Sequence, residues 1–146
     1  MNREKVIEAL ESALGFSRES GLTYEEVAHL EALLHEVKGI PMKVYLDDCR
    51  KCPEGWLLAQ TAPECIEFLK TNQVESLSLD HDLGTDPQDG MTVLDWLEEQ
   101  VMTYGFRPPK HITIHTANES MKWTMKAVAR RILEFAMKNV VTSDIP

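Results

Sequence analysis

The stretch Lys43-Val44-Tyr45-Leu46-Asp47-Asp48 decides the fold, because a short run of strand-forming residues ends abruptly in two acids. The stretch Ser76-Leu77-Ser78-Leu79-Asp80-His81-Asp82 repeats this pattern farther along the chain. Helical patterns follow the strand-like runs, which is typical of βαβ units in a parallel sheet. The sequence therefore predicts an α/β fold with a parallel sheet of four to five strands and flanking helices.

One further strand-like run lies between these two stretches, and another follows them. The segments at residues 56–61 and 111–114 are rich in apolar and β-forming residues, and Val140-Val141 could form a short fifth strand. Helical periodicity follows Pro63, which is a good first residue for a helix, and recurs over residues 91–102 and 120–137. We expect these helices to flank the sheet and close its core.

The chain begins with two amphipathic segments that predict a helical hairpin at residues 1–41, ahead of an α/β domain at residues 42–146. Thr23 and Glu26 have the spacing of a capping box, and Gly39 followed by Pro41 ends the second segment. The apolar stripe of this hairpin can pack on the domain or bind a partner. We expect it to pack on the domain.

Composition excludes several classes of function. A formal net charge of −9 and a pI near 5.0 argue against a broad nucleic-acid-binding surface, which would need clustered Lys and Arg. No apolar run is long enough to span a bilayer, and no signal peptide is recognisable at the start. Three cysteines, an odd number, fit reduced thiols. We therefore expect a cytoplasmic protein that does not bind a membrane.

Acidic residues follow the predicted strands where ligands bind in open α/β sheets, outside the carboxyl ends of the strands. Asp47 and Asp48 follow the first strand, and Asp80 and Asp82 follow the third. If the strand order is flavodoxin-like, these strands are neighbours and their carboxylates converge. Converging carboxylates repel each other unless a cation is present, and oxygen ligands suit Mg²⁺ or the similar Mn²⁺. The sequence predicts a divalent metal site, although any single Asp here could simply cap a loop or helix.

Two histidines occupy similar positions. His81 follows the third strand and His115 the fourth, where an imidazole can act as general acid or base near neutral pH, ligate a metal, or serve a structural role. Cys49 and Cys52 form a lone Cys-x-x-Cys, which lacks the second ligand pair of a structural zinc site. Arg50, between them, is placed to contact a substrate phosphate.

These residues resemble those of two-component receiver domains, which carry an acidic pair, an aspartate after the third strand and a hydroxyl residue after the fourth. Asp89-Gly90 at a helix start and Thr116-Ala117 add to the resemblance, but no later Lys-Pro matches the receiver pattern. The chain more closely resembles cyclic-phosphate processing receiver domains, over roughly residues 43–131. The resemblance rests on Leu46-Asp47-Asp48-Cys49-Arg50 with Pro53 and Trp56, on Ser78-Leu79-Asp80-His81-Asp82-Leu83-Gly84 and on His115-Thr116-Ala117-Asn118.

The resemblance implies a receiver/flavodoxin-like sheet and a metal-dependent phosphoesterase-type hydrolase acting on a small cyclic phosphate derived from a nucleotide or from RNA. The implied metal ligands are Asp47, Asp48, Asp80 and Asp82, and the implied acid–base pair is His81 and His115. Arg50, Thr116 and Asn118 would bind the substrate anion. An alternative function remains open at this point, that of a receiver-like signalling or binding module with a magnesium site and no hydrolase activity.

Overall fold

A computed structural model of the chain describes residues 2–15, 21–48, 52–83 and 88–144, with side chains up to residue 138. In chain order the elements are α1 (Arg3–Gly15), α2 (Tyr24–Lys38), β1 (Met42–Leu46), β2 (Leu57–Ala59), α3 (Ala62–Lys70), β3 (Val74–Leu79), α4 (Gly90–Tyr104), β4 (His111–Ile114) and α5 (Glu119–Asp144). The predicted α/β fold class is confirmed.

The sheet is parallel throughout and has the order β2-β1-β3-β4. This is the expected flavodoxin-like arrangement, in which the first and third strands are neighbours. The register pairs Leu46 of β1 with Leu79 of β3, and Leu79 with Ile114 of β4. The carboxyl ends of these three strands therefore lie side by side at one edge of the sheet.

The predicted fifth strand is wrong, because Val140 and Val141 lie within α5. No Gly or Pro interrupts the sequence from Glu119 to Asp144, so nothing ends the helix before these valines. The second strand is also shorter than residues 56–61. It ends at Ala59, since the Thr61 side chain accepts a hydrogen bond from the Glu64 backbone N–H (3.3 Å) and caps α3.

The core lies between one face of the sheet and the helices. Alternate strand residues point to opposite faces, and the face toward the helices, here called the helix face, is apolar. Its most buried members are no more than 1% exposed: Met42, Val44, Leu46, Leu77 and Leu79. Val93, Leu94 and Leu97 of α4 and Met125 and Ile132 of α5 are also fully buried in this core. Burial of each large side chain contributes roughly 2 kcal/mol of stabilisation.

The helical N-terminus forms as predicted, with α1 and α2 packed against each other. Thr23 and Glu26 make the expected capping box at the start of α2, and Gly39 ends that helix in the left-handed conformation (φ 70°). Ala28 and Ala32 of α2 belong to the same buried cluster as the strand residues. No helix in the described part of the chain is both long and apolar enough to cross a membrane.

The start of α4 lies directly against the end of β3. Asp89 caps α4 by accepting hydrogen bonds from the backbone N–H groups of Met91 (3.0 Å) and Thr92 (3.2 Å). A Cβ atom at Gly90 would overlap the backbone carbonyl oxygen of Asp80 and would crowd Met125. Only glycine therefore allows this approach between α4 and the residue that follows β3.

We expect Gly90→Ala to lower the free energy of unfolding by about 1–3 kcal/mol, because a backbone oxygen cannot move aside as a flexible side chain can. Thermal or urea unfolding measures the effect. Gly15→Ala is the matched control, since a Cβ atom there has no neighbour within 4 Å among the described residues. An unchanged stability of Gly90→Ala would mean that α4 does not approach β3 this closely.

Candidate functional site

Three backbone hydrogen bonds continue the sheet by one residue beyond the strand ends. The N–H of Asp47 donates to Ala59 (3.0 Å), that of Asp80 to Leu46 (3.1 Å) and that of His115 to Leu79 (2.9 Å), each to a carbonyl oxygen. Because their backbones are held in register, Asp47, Asp80 and His115 start from fixed neighbouring positions. The strand ends thus position the site.

The side chains of Asp47, Asp80 and His115 converge, and we call these residues the strand-end cluster. One potential ligand atom from each lies within 4.8 Å of the others. His115 Nε2 is 3.1 Å from Asp47 Oδ2. Asp47 is 7% exposed, whereas Asp80 and His115 are partly accessible. The cluster is therefore anchored in the protein and open on one side.

The donor set of this cluster fits a divalent cation. Two carboxylates at close range repel each other, and a cation or protonated imidazole between them relieves that repulsion. Carboxylate oxygens suit Mg²⁺ and Mn²⁺, and an imidazole nitrogen is a better ligand for Mn²⁺ than for Mg²⁺. Asp47, Asp80 and His115 together could hold such an ion.

The imidazole ring of His115 has a polar contact at each nitrogen and an aromatic contact on one ring face. Its Nδ1 lies 2.7 Å from Ser78 Oγ, and its ring stacks on Tyr45 with centroids 4.1 Å apart and planes 7° from parallel. If Nε2 carries the proton donated to Asp47, Nδ1 accepts the hydroxyl proton of Ser78. Sequence reasoning missed both supporting residues. A signal was available, because Tyr45 and Ser78 lie two residues before Asp47 and Asp80 and so share a sheet face.

His81 lies outside the strand-end cluster and has an aspartate of its own. Its Nε2 is 3.2 Å from Asp89 Oδ2, while the other oxygen of Asp89 caps α4. His81 Nδ1 is buried and has no hydrogen-bond partner among the described residues. The side chain as a whole is 24% exposed. The α4 cap therefore also orients the imidazole, a link that the sequence analysis did not make.

The other predicted metal ligands, Asp48 and Asp82, are exposed and lie outside the strand-end cluster. The backbone N–H of Asp82 lies 3.3 Å from Asp80 Oδ1, so this residue helps to orient the Asp80 carboxylate. Their direct role in metal binding stays a prediction.

Two of the three predicted anion-binding residues, Thr116 and Asn118, lie in the described turn after β4. Asn118 Oδ1 accepts from the Met121 N–H (3.1 Å) and from Ser120 Oγ (3.0 Å), which caps the first turn of α5. Thr116 Oγ1 accepts from the Asn118 N–H (3.2 Å). Both residues therefore order the turn that follows His115 and β4. Arg50 lies outside the described residues.

Two of the three cysteines, Cys52 and Cys65, lie in the described part of the chain, and neither belongs to the strand-end cluster. Cys49 lies outside the described residues, so the Cys-x-x-Cys pair stays untested. Cys52 Sγ lies 3.4 Å from the Trp56 carbonyl oxygen. Cys65, in α3, is fully buried, and this burial raises the pKa of its thiol, which disfavours the reactive thiolate.

Comparison with known proteins gives one match. A family model described as "Cyclic-phosphate processing Receiver domain" matches residues 42–131, from the start of β1 into α5 and more than half of the chain. No curated protein and no solved structure matches the chain at a significant level. The matched region contains the strand-end cluster, His81 and Asp89, and the α1–α2 hairpin precedes it. The chain belongs to the cyclic-phosphate processing receiver domain family.

Proposed function

We propose that this protein is a divalent-metal-dependent hydrolase that opens a cyclic phosphate. The observation that carries the proposal is the strand-end cluster, whose ligand atoms lie within 4.8 Å of one another in a family named for cyclic-phosphate processing. Two carboxylates and two imidazoles on adjacent strand ends supply the groups that phosphoester hydrolysis needs. The substrate is a small cyclic phosphodiester derived from a nucleotide or from RNA.

Asp47 and Asp80 would hold the ion, Mg²⁺ or Mn²⁺, with Asp48 and Asp82 as further candidate ligands. When bound, such an ion neutralises negative charge on phosphate oxygens and orients them. Burial of Asp47 supports this assignment, because a buried carboxylate gains most from a nearby positive charge. The strand-end hydrogen bonds keep the two acids in place without the ion.

His81 and His115 would transfer the protons. Ring opening adds a water oxygen to phosphorus and breaks one phosphorus–oxygen ester bond. One histidine accepts the proton that the water loses, and the other donates a proton to the departing alkoxide, so that charge and atoms balance. Asp89 and Asp47 each lie within 3.2 Å of one imidazole and would orient its ring for proton transfer.

Thr116 and Asn118, together with Arg50, would bind the phosphate oxygens. The α5 cap uses the side-chain oxygen of Asn118, so its amide nitrogen can donate to an anion. Thr116 lies next to His115 in the chain and would place a hydroxyl beside the leaving group. The direct test is a screen of cyclic phosphodiesters and cyclic nucleotides with Mg²⁺ or Mn²⁺, with products identified by phosphorus NMR.

A phosphomonoester product formed only with metal would support the hydrolase. Absence of turnover across the screen, together with transfer of a phosphoryl group from a small phosphodonor to Asp80, would instead favour a receiver-like signalling module. Mass spectrometry of the intact protein and its peptides detects that adduct. The two outcomes require different chemistry at the same aspartate and are therefore distinguishable.

Metal binding should stabilise the fold. At a concentration of about 100 times Kd, an ion that binds only the folded state adds about 2.7 kcal/mol, which raises Tm by several degrees. We expect Asp80→Asn to lose most of this Mg²⁺- or Mn²⁺-dependent rise, because it removes a ligand charge. Differential scanning fluorimetry measures it. Asp95→Asn, an exposed acid on α4, is the control and should keep the full rise. An equal rise in the Asp80 variant would remove Asp80 from the metal site.

Substitution of either histidine should lower turnover and leave Mg²⁺ binding nearly unchanged. We expect His81→Ala and His115→Ala each to lower kcat by roughly 10²-fold or more, the usual effect of losing a positioned acid or base. The Mg²⁺-dependent rise in Tm should stay near the wild-type value, because imidazole is a poor ligand for this cation. His29→Ala, an exposed histidine on α2, is the matched control. Full activity in the double variant at positions 81 and 115 would contradict the acid–base assignment.

A further inference from the structure

One face of the parallel sheet has no helical cover in the described part of the chain. The β2-to-β3 and β3-to-β4 connections move in the same direction along the sheet, so right-handed crossovers place α3 and α4 on the same face. The other packed helices extend that layer, because α2 contacts α3 and α5 contacts α4 and β4. The β1-to-β2 connection moves the opposite way, but its described residues, 47–48 and 52–56, form no helix.

The uncovered side, here called the open face, is unusual for a parallel sheet, since such sheets normally carry helices on both faces. Its side chains differ accordingly from the apolar helix face. They are Lys43, Tyr45, Trp56, Leu58, Ser76, Ser78, His111 and Thr113. His111 and Thr113 are exposed, Ser78 is covered beside His115, and the other five are half-buried. Hydroxyls, aromatic rings and a lysine make a surface that suits a polar ligand with flat rings better than a hydrophobic protein interface.

Two aromatic rings dominate the open face. Trp56 and Tyr45 are in edge-to-face contact, with centroids 6.1 Å apart and planes at 79°. Lys43 Nζ lies 5.8 Å from the centre of the Trp56 ring. A lysine beside an indole places a positive charge next to a flat apolar surface, a combination that binds bases and their polar edges.

This aromatic pair is continuous with the candidate site. Tyr45 stacks on His115 at 4.1 Å, and the neighbouring Ser78 contacts the same imidazole at 2.7 Å. His115 in turn reaches Asp47 of the strand-end cluster. A ligand with its phosphate at that cluster would extend along Tyr45 toward Trp56. One aromatic ring, that of Tyr45, thus lies between His115 and Trp56. This separation is comparable to the size of a ribose with its base.

We propose that the open face is a nucleoside subsite, in which the base attached to the cyclic phosphate stacks on Trp56 beside Lys43; this inference rests on the proposed function. Aromatic side chains on an exposed four-stranded sheet are a recurrent means of binding unpaired bases. The net charge of −9 disfavours a long phosphate backbone. The ligand is therefore one nucleoside cyclic phosphate, either free or as the last nucleotide of an oligoribonucleotide.

The test compares two substrates that share the reacting ring, a nucleoside 2′,3′-cyclic phosphate and glycerol 1,2-cyclic phosphate, which has no base. The ratio of their kcat/KM values reports the contribution of the base. We expect Trp56→Leu to lower this ratio about tenfold, the scale of one lost stacking contact, and Trp56→Phe to keep most of it. Trp123→Leu is the matched control, because Trp123 is 71% exposed on α5 and also has a lysine, Lys126, over its ring at 5.7 Å. An unchanged ratio in Trp56→Leu would overturn the subsite while leaving the hydrolase intact.

A binding measurement tests the subsite even if the protein shows no turnover or if the Trp56→Leu variant does not fold. Addition of a nucleoside 3′-monophosphate should quench tryptophan fluorescence in the wild type, and Trp56→Phe should abolish that quenching because it removes the stacked indole. Quenching without any hydrolysis would support the subsite and count against the proposed function. Absence of quenching, or equal quenching in Trp56→Phe, would overturn the subsite. A mononucleotide and a short oligoribonucleotide that end in the same 3′-phosphate should bind equally, because the subsite holds one nucleoside in either ligand. Tighter binding of the longer ligand would show contacts beyond one nucleoside and would overturn the proposed single-nucleoside subsite.

Discussion

The hydrogen-bond register between β1, β3 and β4 is the constraint on which the rest of the site depends. It pairs Leu46, Leu79 and Ile114 across the sheet and continues one residue beyond them, through the N–H groups of Asp80 and His115. A shift of one residue in any strand would turn its side chains to the opposite face. The apolar helix face prevents that shift, because it would expose residues such as Leu77. The strand register that buries the core is therefore the same register that brings the acids together.

The end of β3 is held from a second direction by α4. Gly90 lets the helix start against the Asp80 carbonyl, and Asp89 uses one oxygen for the helix cap and the other for His81. The same short segment therefore secures a helix end and orients an imidazole. This coupling explains why the two histidines have different surroundings. His115 lies on the sheet surface between Tyr45, Ser78 and Asp47, whereas His81 lies at a helix start.

One face of the sheet has no helical cover among the described residues, because residues 47–48 and 52–56 between β1 and β2 form no helix. In a sheet covered on both faces, Tyr45 and Ser78 would be packing residues and would need to be apolar. Here they contact His115 and face the open side. The fold thus retains the strand-end crevice typical of open α/β sheets and adds an accessible surface that leads away from it. The described chemistry is concentrated on this side, and the helix face supplies stability.

The sequence by itself determined the α/β class, the parallel sheet, the helical N-terminus with its Thr23 capping box and the strand ends at which the acids lie. These features follow from local periodicity, capping residues and the abrupt change from apolar to acidic residues, which neighbouring residues control. The length of α5 was missed at Val140 and Val141, because strand-forming residues can continue a helix when no breaker precedes them.

Tertiary structure alone decided which polar residues meet. Sequence spacing placed Asp47, Asp48, Asp80 and Asp82 at two strand ends, but only the direction of each side chain brings Asp47 and Asp80 to His115 and leaves the other two outside the cluster. Three other features are likewise nonlocal. They are the contact between Asp89 and His81, the stacking of Tyr45 on His115, and the open face of the sheet. They depend on strand register and on the side of the sheet to which each connection crosses, which no short stretch of sequence encodes.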